Sequence, residues 1–170
     1  RDFAAHAAHE LRTPVAAARA EAQLLARRPE VAADAGRIVA ALDRITALTE
    51  IDIAGPAKGS KLLVTKYAPN GDKTRGTINN CAYGVTPWNT YMAAEENWAG
   101  YFTSHDAENG EPKLPRELKR YGVVAGKNGR YGWEKAAGGA DEYIRFDAST
   151  KGASAAEDYR NEPNQFGWMV

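Results

Sequence analysis

Apolar positions in the first fifty residues fall at helical spacing. Leu11, Val15, Ala18, Ala22 and Leu25 recur at steps of four and three, and Ile38, Leu42 and Ile45 continue the stripe. That is the repeat of a helix packed along one seam. Alanine and arginine dominate the intervening positions, and both lose little side-chain entropy in a helix. The pattern predicts one helix over residues 3–28 and a second over roughly 30–49. Pro14 lies inside the first and should kink it by removing a backbone donor. Arg27-Arg28-Pro29-Glu30 is the expected connection, with basic residues closing one helix and an acid opening the next. A hairpin this small cannot bury both stripes alone, so a homodimer through the hairpin is expected.

Beyond residue 50 the helical period disappears and short apolar runs alternate with turn residues. Lys61–Tyr67 is a strand candidate closed by Pro69-Asn70-Gly71-Asp72. Arg75–Asn80, Thr90–Ala94 and Tyr143–Phe146 are further short strands, and Gly126-Lys127-Asn128-Gly129 and Gly138-Gly139 are turns or loops. Residues 148–158 carry few bulky apolar groups and are expected to form a mobile surface loop. Trp88, Trp98, Trp133 and Trp168 sit close to glycine or asparagine, as buried aromatics at strand ends do. Such a pattern suits a sheet-rich fold such as a propeller, although the strands suffice for only one or two blades. The expected fold class is therefore α+β: an N-terminal antiparallel helical hairpin, residues 1–49, then an incomplete all-β, propeller-like portion, residues 50–170.

Composition sharpens that boundary. Residues 1–50 hold 16 alanines, seven arginines and no lysine, with Phe3 as their one aromatic and Gly36 as their one glycine. The remaining 15 glycines and 15 aromatics follow, with nine lysines against six arginines. The two segments read as unrelated, joined near Thr49–Asp52. Formal net charge is zero, and each half is balanced, which argues against a nucleic-acid surface or an acidic tail. No apolar run approaches the roughly 18–20 residues needed to span a bilayer. The chain starts at Arg1 and shows no secretory signal, so it is expected to be a piece of something longer. Its single cysteine, Cys81, rules out an intrachain disulfide.

Candidate chemistry in the first segment centres on His9. An imidazole beside the Glu10 carboxylate could attack a γ-phosphate while the acid fixes its tautomer and takes the proton. Thr13, one turn later, could orient a water for the reverse reaction. Taken alone, a helix histidine is a solvated side chain. The string His9-Glu10-Leu11-Arg12-Thr13-Pro14-Val15, with Phe3 before it, resembles the H-box of sensor histidine kinases. The resemblance implies a phosphoacceptor at His9, acid–base work at Glu10 and a phosphatase role for Thr13. It also implies a response regulator, or a kinase ATP-binding domain acting in trans, as partner, since no ATP-binding boxes follow.

In the second segment chemistry gathers in two places. One is Gly76–Trp88, containing Asn79, Asn80 and Cys81, followed by Glu95 and Glu96. The other is Arg160-Asn161-Glu162-Pro163-Asn164. Thiolate suits iron or zinc, and carboxylate suits iron, calcium or magnesium. The plain alternatives are a small buried hydrophobe for the cysteine, a solvated patch for the glutamates and an ordinary turn for Asn161–Asn164. No conventional zinc or serine-nucleophile signature is present. Together with Ile51–Pro56, Tyr131-Gly132-Trp133 and Phe166-Gly167-Trp168, these strings resemble the PhoX family of alkaline phosphatases. The resemblance implies a β-propeller phosphomonoesterase dependent on calcium and iron, acting on phosphate monoesters. Cys81 would ligate iron, Glu96 and Glu162 would supply carboxylates to iron or calcium, and Glu95 and Asn80 would orient those ligands. Later ligands of the family would lie beyond Val170, so catalysis is expected to be incomplete. The PhoX resemblance points outside the cytoplasm and the kinase resemblance inside it.

Three functions follow as expectations: a PhoX-like phosphatase fragment fused to an unrelated hairpin, a sensor-kinase fragment relaying phosphate through His9, and a non-catalytic dimerising module.

Overall fold

The computed structural model describes residues 49–168, together with residues 18, 22, 25, 28–34 and 38 of the preceding segment. Eight short strands are defined among them: β1 (Glu50–Asp52), β2 (Lys73–Arg75), β3 (Asn80–Val85), β4 (Tyr91–Glu95), β5 (Thr103–Ser104), β6 (Ala107–Glu108), β7 (Glu111–Pro112) and β8 (Val124–Ala125). They form four separate two-stranded ladders, β1 with β2, β3 with β4, β5 with β8, and β6 with β7. Only the β5–β8 pair is parallel. The bounded α-helices, Arg116–Tyr121 and Asp141–Ile144, have six and four residues.

This corrects the α+β expectation. The described residues are mostly small strands with few short helices, and no hairpin of long helices is described at the N-terminus. Leu25 and Ile38, two positions of the expected seam, are 43% and 49% exposed, whereas Ala22 is buried. Spacing tells which side chains would share a helix face; it supplies no partner to cover that face. The propeller blades are corrected as well, because a blade needs four strands side by side and each described sheet has two.

Ile78, Tyr101, Phe102, Leu118, Val123, Phe146, Ala148 and Phe166 form the core, with Trp98, Ala99, Leu114 and Trp133 packed against it. The Phe102 ring lies 5.1 Å from Phe146 and 5.3 Å from Phe166, and Trp133 meets Phe146 edge-on at 5.0 Å. Burying each such ring contributes about 1.5–3 kcal/mol. Trp98 and Trp133 behave as expected of packed aromatics, but Trp88 and Trp168 are exposed.

Lys61–Tyr67 is not a strand. Ser60 caps a 3-10 turn at Lys61–Leu63 by accepting from the Leu62 N–H. The carbonyls a strand would offer to a neighbour are taken by side-chain amides. Asn161 donates to Lys61 and Val64, Asn164 to Leu62, and Gln165 to Leu63. The expected turn at Asn70-Gly71 is present, and glycine is required there. Its φ is +63°, and a Cβ would stand 2.8 Å from the Ser60 carbonyl. The span Arg75–Asn80 is a break between β2 and β3, and Tyr143–Phe146 starts as helix rather than strand. Residues 148–158 are held in place: Asp158 accepts from the Lys151 and Gly152 N–H groups, and Asp106 accepts from Thr150.

Candidate functional site

The β3–β4 ladder opens with a bulge. Asn80 pairs with Glu95 and Ala82 with Ala94, which leaves Cys81 as the extra residue on its strand. A bulge re-aims a side chain, and here it presents the thiol to solvent. The Cys81 thiol donates to Asn79 Oδ1 at 3.4 Å. Asn79 adopts a left-handed backbone (φ 53°), a conformation asparagine tolerates. Its carboxamide donates to the Glu96 carbonyl, and the Glu96 N–H donates back to the Asn79 carbonyl at 3.1 Å. The exposed Glu96 carboxylate accepts from Asn97 Nδ2 at 3.0 Å.

Glu95 points the other way and is largely buried. It accepts from the Thr77 hydroxyl at 2.8 Å and the Ile78 N–H at 2.9 Å. It also accepts from the Gly167 N–H at 2.7 Å and the Trp168 N–H at 3.3 Å. Burial pushes its carboxyl up, and those hydrogen bonds oppose the shift. Thr77 stands 2.8 Å from Asn80 Oδ1 as well, so its one proton serves either acceptor. Glu95 thereby ties the β3–β4 base to the segment that follows Glu162. Gly167 permits this approach: with φ at +86°, a Cβ there would run into the Trp98 indole at 2.5 Å.

Glu162 lies in the interior. Its Oε1 accepts from Arg145 Nη1 at 2.6 Å, and both side chains are fully buried. Arg145 donates further to the Glu142 and Arg75 carbonyls and stacks on Phe146 at 4.6 Å. Burial pushes the Glu162 carboxyl up, and the adjacent guanidinium opposes it. Oε2 of Glu162 is buried with no hydrogen-bond partner.

Cys81 and Glu96 thus sit at one ladder end, and Glu162 is engaged by Arg145. Among the described residues no group of three or more His, Cys, Asp or Glu is placed to share an ion. One orphaned carboxylate oxygen beside a guanidinium, with a thiol and a carboxylate on a surface, is donor chemistry suited to iron and calcium but only part of a coordination shell. His9, Glu10 and Thr13 lie outside the described residues. Arg145 was not anticipated as a site residue. Its signal was a cation between Ile144 and Phe146, since a charge inside an apolar run needs a buried partner. No described helix is long and apolar enough to cross a membrane.

This small-stranded fold has relatives among phosphatases. The family model described as alkaline phosphatase PhoX matches residues 12–170. A solved structure, Pseudomonas fluorescens PhoX in complex with vanadate, a transition state analogue, matches with 35% sequence identity and a TM-score of 0.56. The match covers 73% of this chain and 18% of that one. No curated protein matches. The chain belongs to the PhoX alkaline phosphatase family. Neither match concerns a histidine kinase, and the family match begins at Arg12, inside the string that resembles the H-box.

Proposed function

We propose that this chain is a segment of a PhoX-type phosphomonoesterase and that it supplies Cys81, Glu96 and Glu162 to an iron- and calcium-dependent centre. The observation that carries the reading is the family match over residues 12–170, joined to 35% identity with a PhoX structure. The bulge at Cys81 supports it, since bulges re-aim side chains beside active sites. So does the orphaned Oε2 of Glu162, a buried acceptor with capacity to spare. Glu95 then acts as a positioning residue that fixes the ladder end against Gly167 and Trp168.

By itself the chain binds metal weakly and turns over little, because its described donors do not converge. The test is metal content and 4-nitrophenyl phosphate hydrolysis after equilibration with iron and calcium. Less than one tightly held iron per chain is expected, reduced further in Cys81→Ser, with no turnover above the blank. Stoichiometric iron that ignores Cys81→Ser and Glu96→Gln would sink the donor assignment. Hydrolysis by the chain alone would sink its incompleteness.

A further inference from the structure

The chain holds three Asn-Gly steps, at Asn70-Gly71, Asn109-Gly110 and Asn128-Gly129. Glycine has no Cβ to shield its N–H from the carboxamide of the residue before it. The three steps sit in different surroundings. At the first, the Gly71 N–H donates to the Ala68 carbonyl at 2.9 Å and the Gly71 carbonyl accepts from the Gly59 N–H at 2.8 Å. At the third, Gly129 is buried, and the chain is fixed on both sides of Asn128. The Lys127 carbonyl accepts from the Thr103 hydroxyl, and the Gly129 carbonyl accepts from the Gly132 N–H. The second step has no such restraint. Asn109 and Gly110 are the two residues joining β6 to β7, where Glu108 pairs with Glu111. Their φ values of 54° and 82° are both positive, as a two-residue type I′ connection requires. Both residues are exposed, and nothing lies within 4 Å of a Cβ built at Gly110. Among the described residues no acceptor takes the Gly110 N–H.

We infer that Asn109 is a self-modification site, converting to isoaspartate and aspartate in the folded chain ahead of Asn70 and Asn128. The Gly110 nitrogen loses its proton to solvent and bonds to Asn109 Cγ. The Cγ–Nδ2 bond then breaks, and the amide leaves as ammonia after taking a proton back from solvent. The cyclic imide that remains is opened by water. Attack at the main-chain carbonyl gives isoaspartate, and attack at Cγ gives aspartate. One water is consumed and one ammonia released, with no oxidant or reductant involved. Isoaspartate inserts an extra carbon into the main chain, which a two-residue connection cannot absorb while Glu108 and Glu111 stay paired. Either product also adds a carboxylate beside Glu108 and Glu111, like charges that already face each other across the ladder. The change should open β6–β7 and leave the packed rings untouched, since Ala107–Pro112 contributes nothing to the core.

The test is to incubate the purified chain warm at mildly alkaline pH, digest it, and follow each peptide by mass and by methyl transfer from an isoaspartyl methyltransferase. The Asn109 peptide should convert several-fold faster than those holding Asn70 and Asn128, with isoaspartate exceeding aspartate. In denaturant the three rates should converge, because each asparagine precedes a glycine and only the fold separates them. Asn109→Gln should abolish methyl acceptance at that peptide, and Gly110→Ala, whose methyl group shields the nitrogen, should slow it. Asn70 or Asn128 converting as fast as Asn109 in the folded chain would overturn the inference. The same ranking in denaturant would overturn it too, because the turn would then not be the cause.

Discussion

Around Phe102 rings pack at 5.1–5.3 Å beside strands of two residues, whereas β3, in the longest ladder, leaves five of its six residues exposed. Tyr83 and Val85 on β3, and Trp88 in the turn that follows it, are 75%, 66% and 81% exposed. Among the described residues the longest regular pairing thus lies away from the buried rings. The interior is organised by side chains that capture irregular backbone: Asn161, Asn164, Gln165, Asp158 and Arg145 each bond to loop carbonyls or amides. The ladder is organised by its own hydrogen bonds and a bulge. Stability should therefore respond strongly to polar changes in the first region and weakly to apolar changes in the second.

The sharpest way to break that contrast is at Arg145. Replacing it with methionine leaves Glu162 buried and unpaired, and the expected loss is about 3–5 kcal/mol in denaturant unfolding. Arg145→Met combined with Glu162→Leu should recover much of the loss, because neither charge then remains in the interior. A single-variant loss under about 1 kcal/mol would mean that the pair is solvated on opening and does not organise the core.

Acid and alkali sharpen the same contrast with smaller effects. Burial pushes Asp158 up, but hydrogen bonds from Arg160, Gly152 and Lys151 outweigh it and hold the carboxyl well below the usual range. A depressed folded pKa gives stability that is present above the unfolded value of about 3.9 and is lost as pH falls through the folded one. Tyr67 runs the opposite way. Burial, then its hydrogen bond to Glu50, pushes it up to about 12. Its contribution is present below the unfolded value of about 10 and is lost as pH rises through the folded value. Asp158→Asn should flatten the acid limb of a melting-temperature profile, and Tyr67→Phe the alkaline limb. Limbs that keep their slopes in these variants would show that other groups carry the linkage.

How far the sequence foretold this depended on which group completed each backbone bond. The Asn70-Gly71 turn was legible because its cause, a positive φ, is local, and the strand expected at Thr90–Ala94 overlaps β4 at Tyr91–Glu95. The strand expected at Lys61–Tyr67 failed because its carbonyls are claimed by amides about a hundred residues away. The mobile loop expected at 148–158 failed for the same reason, since buried Asp158 supplies acceptors that composition does not reveal. Cys81, Glu96 and Glu162 stood out as motif residues. That Glu162 faces Arg145 was hidden, because the pairing depends on how distant segments meet and not on spacing.

The smallest expected effect tests the exposed region itself. Trp88 lies at the tip between β3 and β4, and its ring has little to leave when it is removed. The turn is held by Thr86, whose hydroxyl accepts from the Trp88 and Thr90 N–H groups and meets the Thr90 hydroxyl at 2.6 Å. The Thr86 N–H donates to the Thr90 carbonyl at 2.8 Å. Trp88→Ser keeps all of these backbone bonds, so the stability change should stay within about 0.5 kcal/mol. Thr86→Val removes the hydroxyl and should cost about 1 kcal/mol. Trp88→Ser should also remove the most solvent-shifted component of tryptophan emission. If it cost more than Thr86→Val, the ring would be packed against something in solution, and the tip would belong with the core.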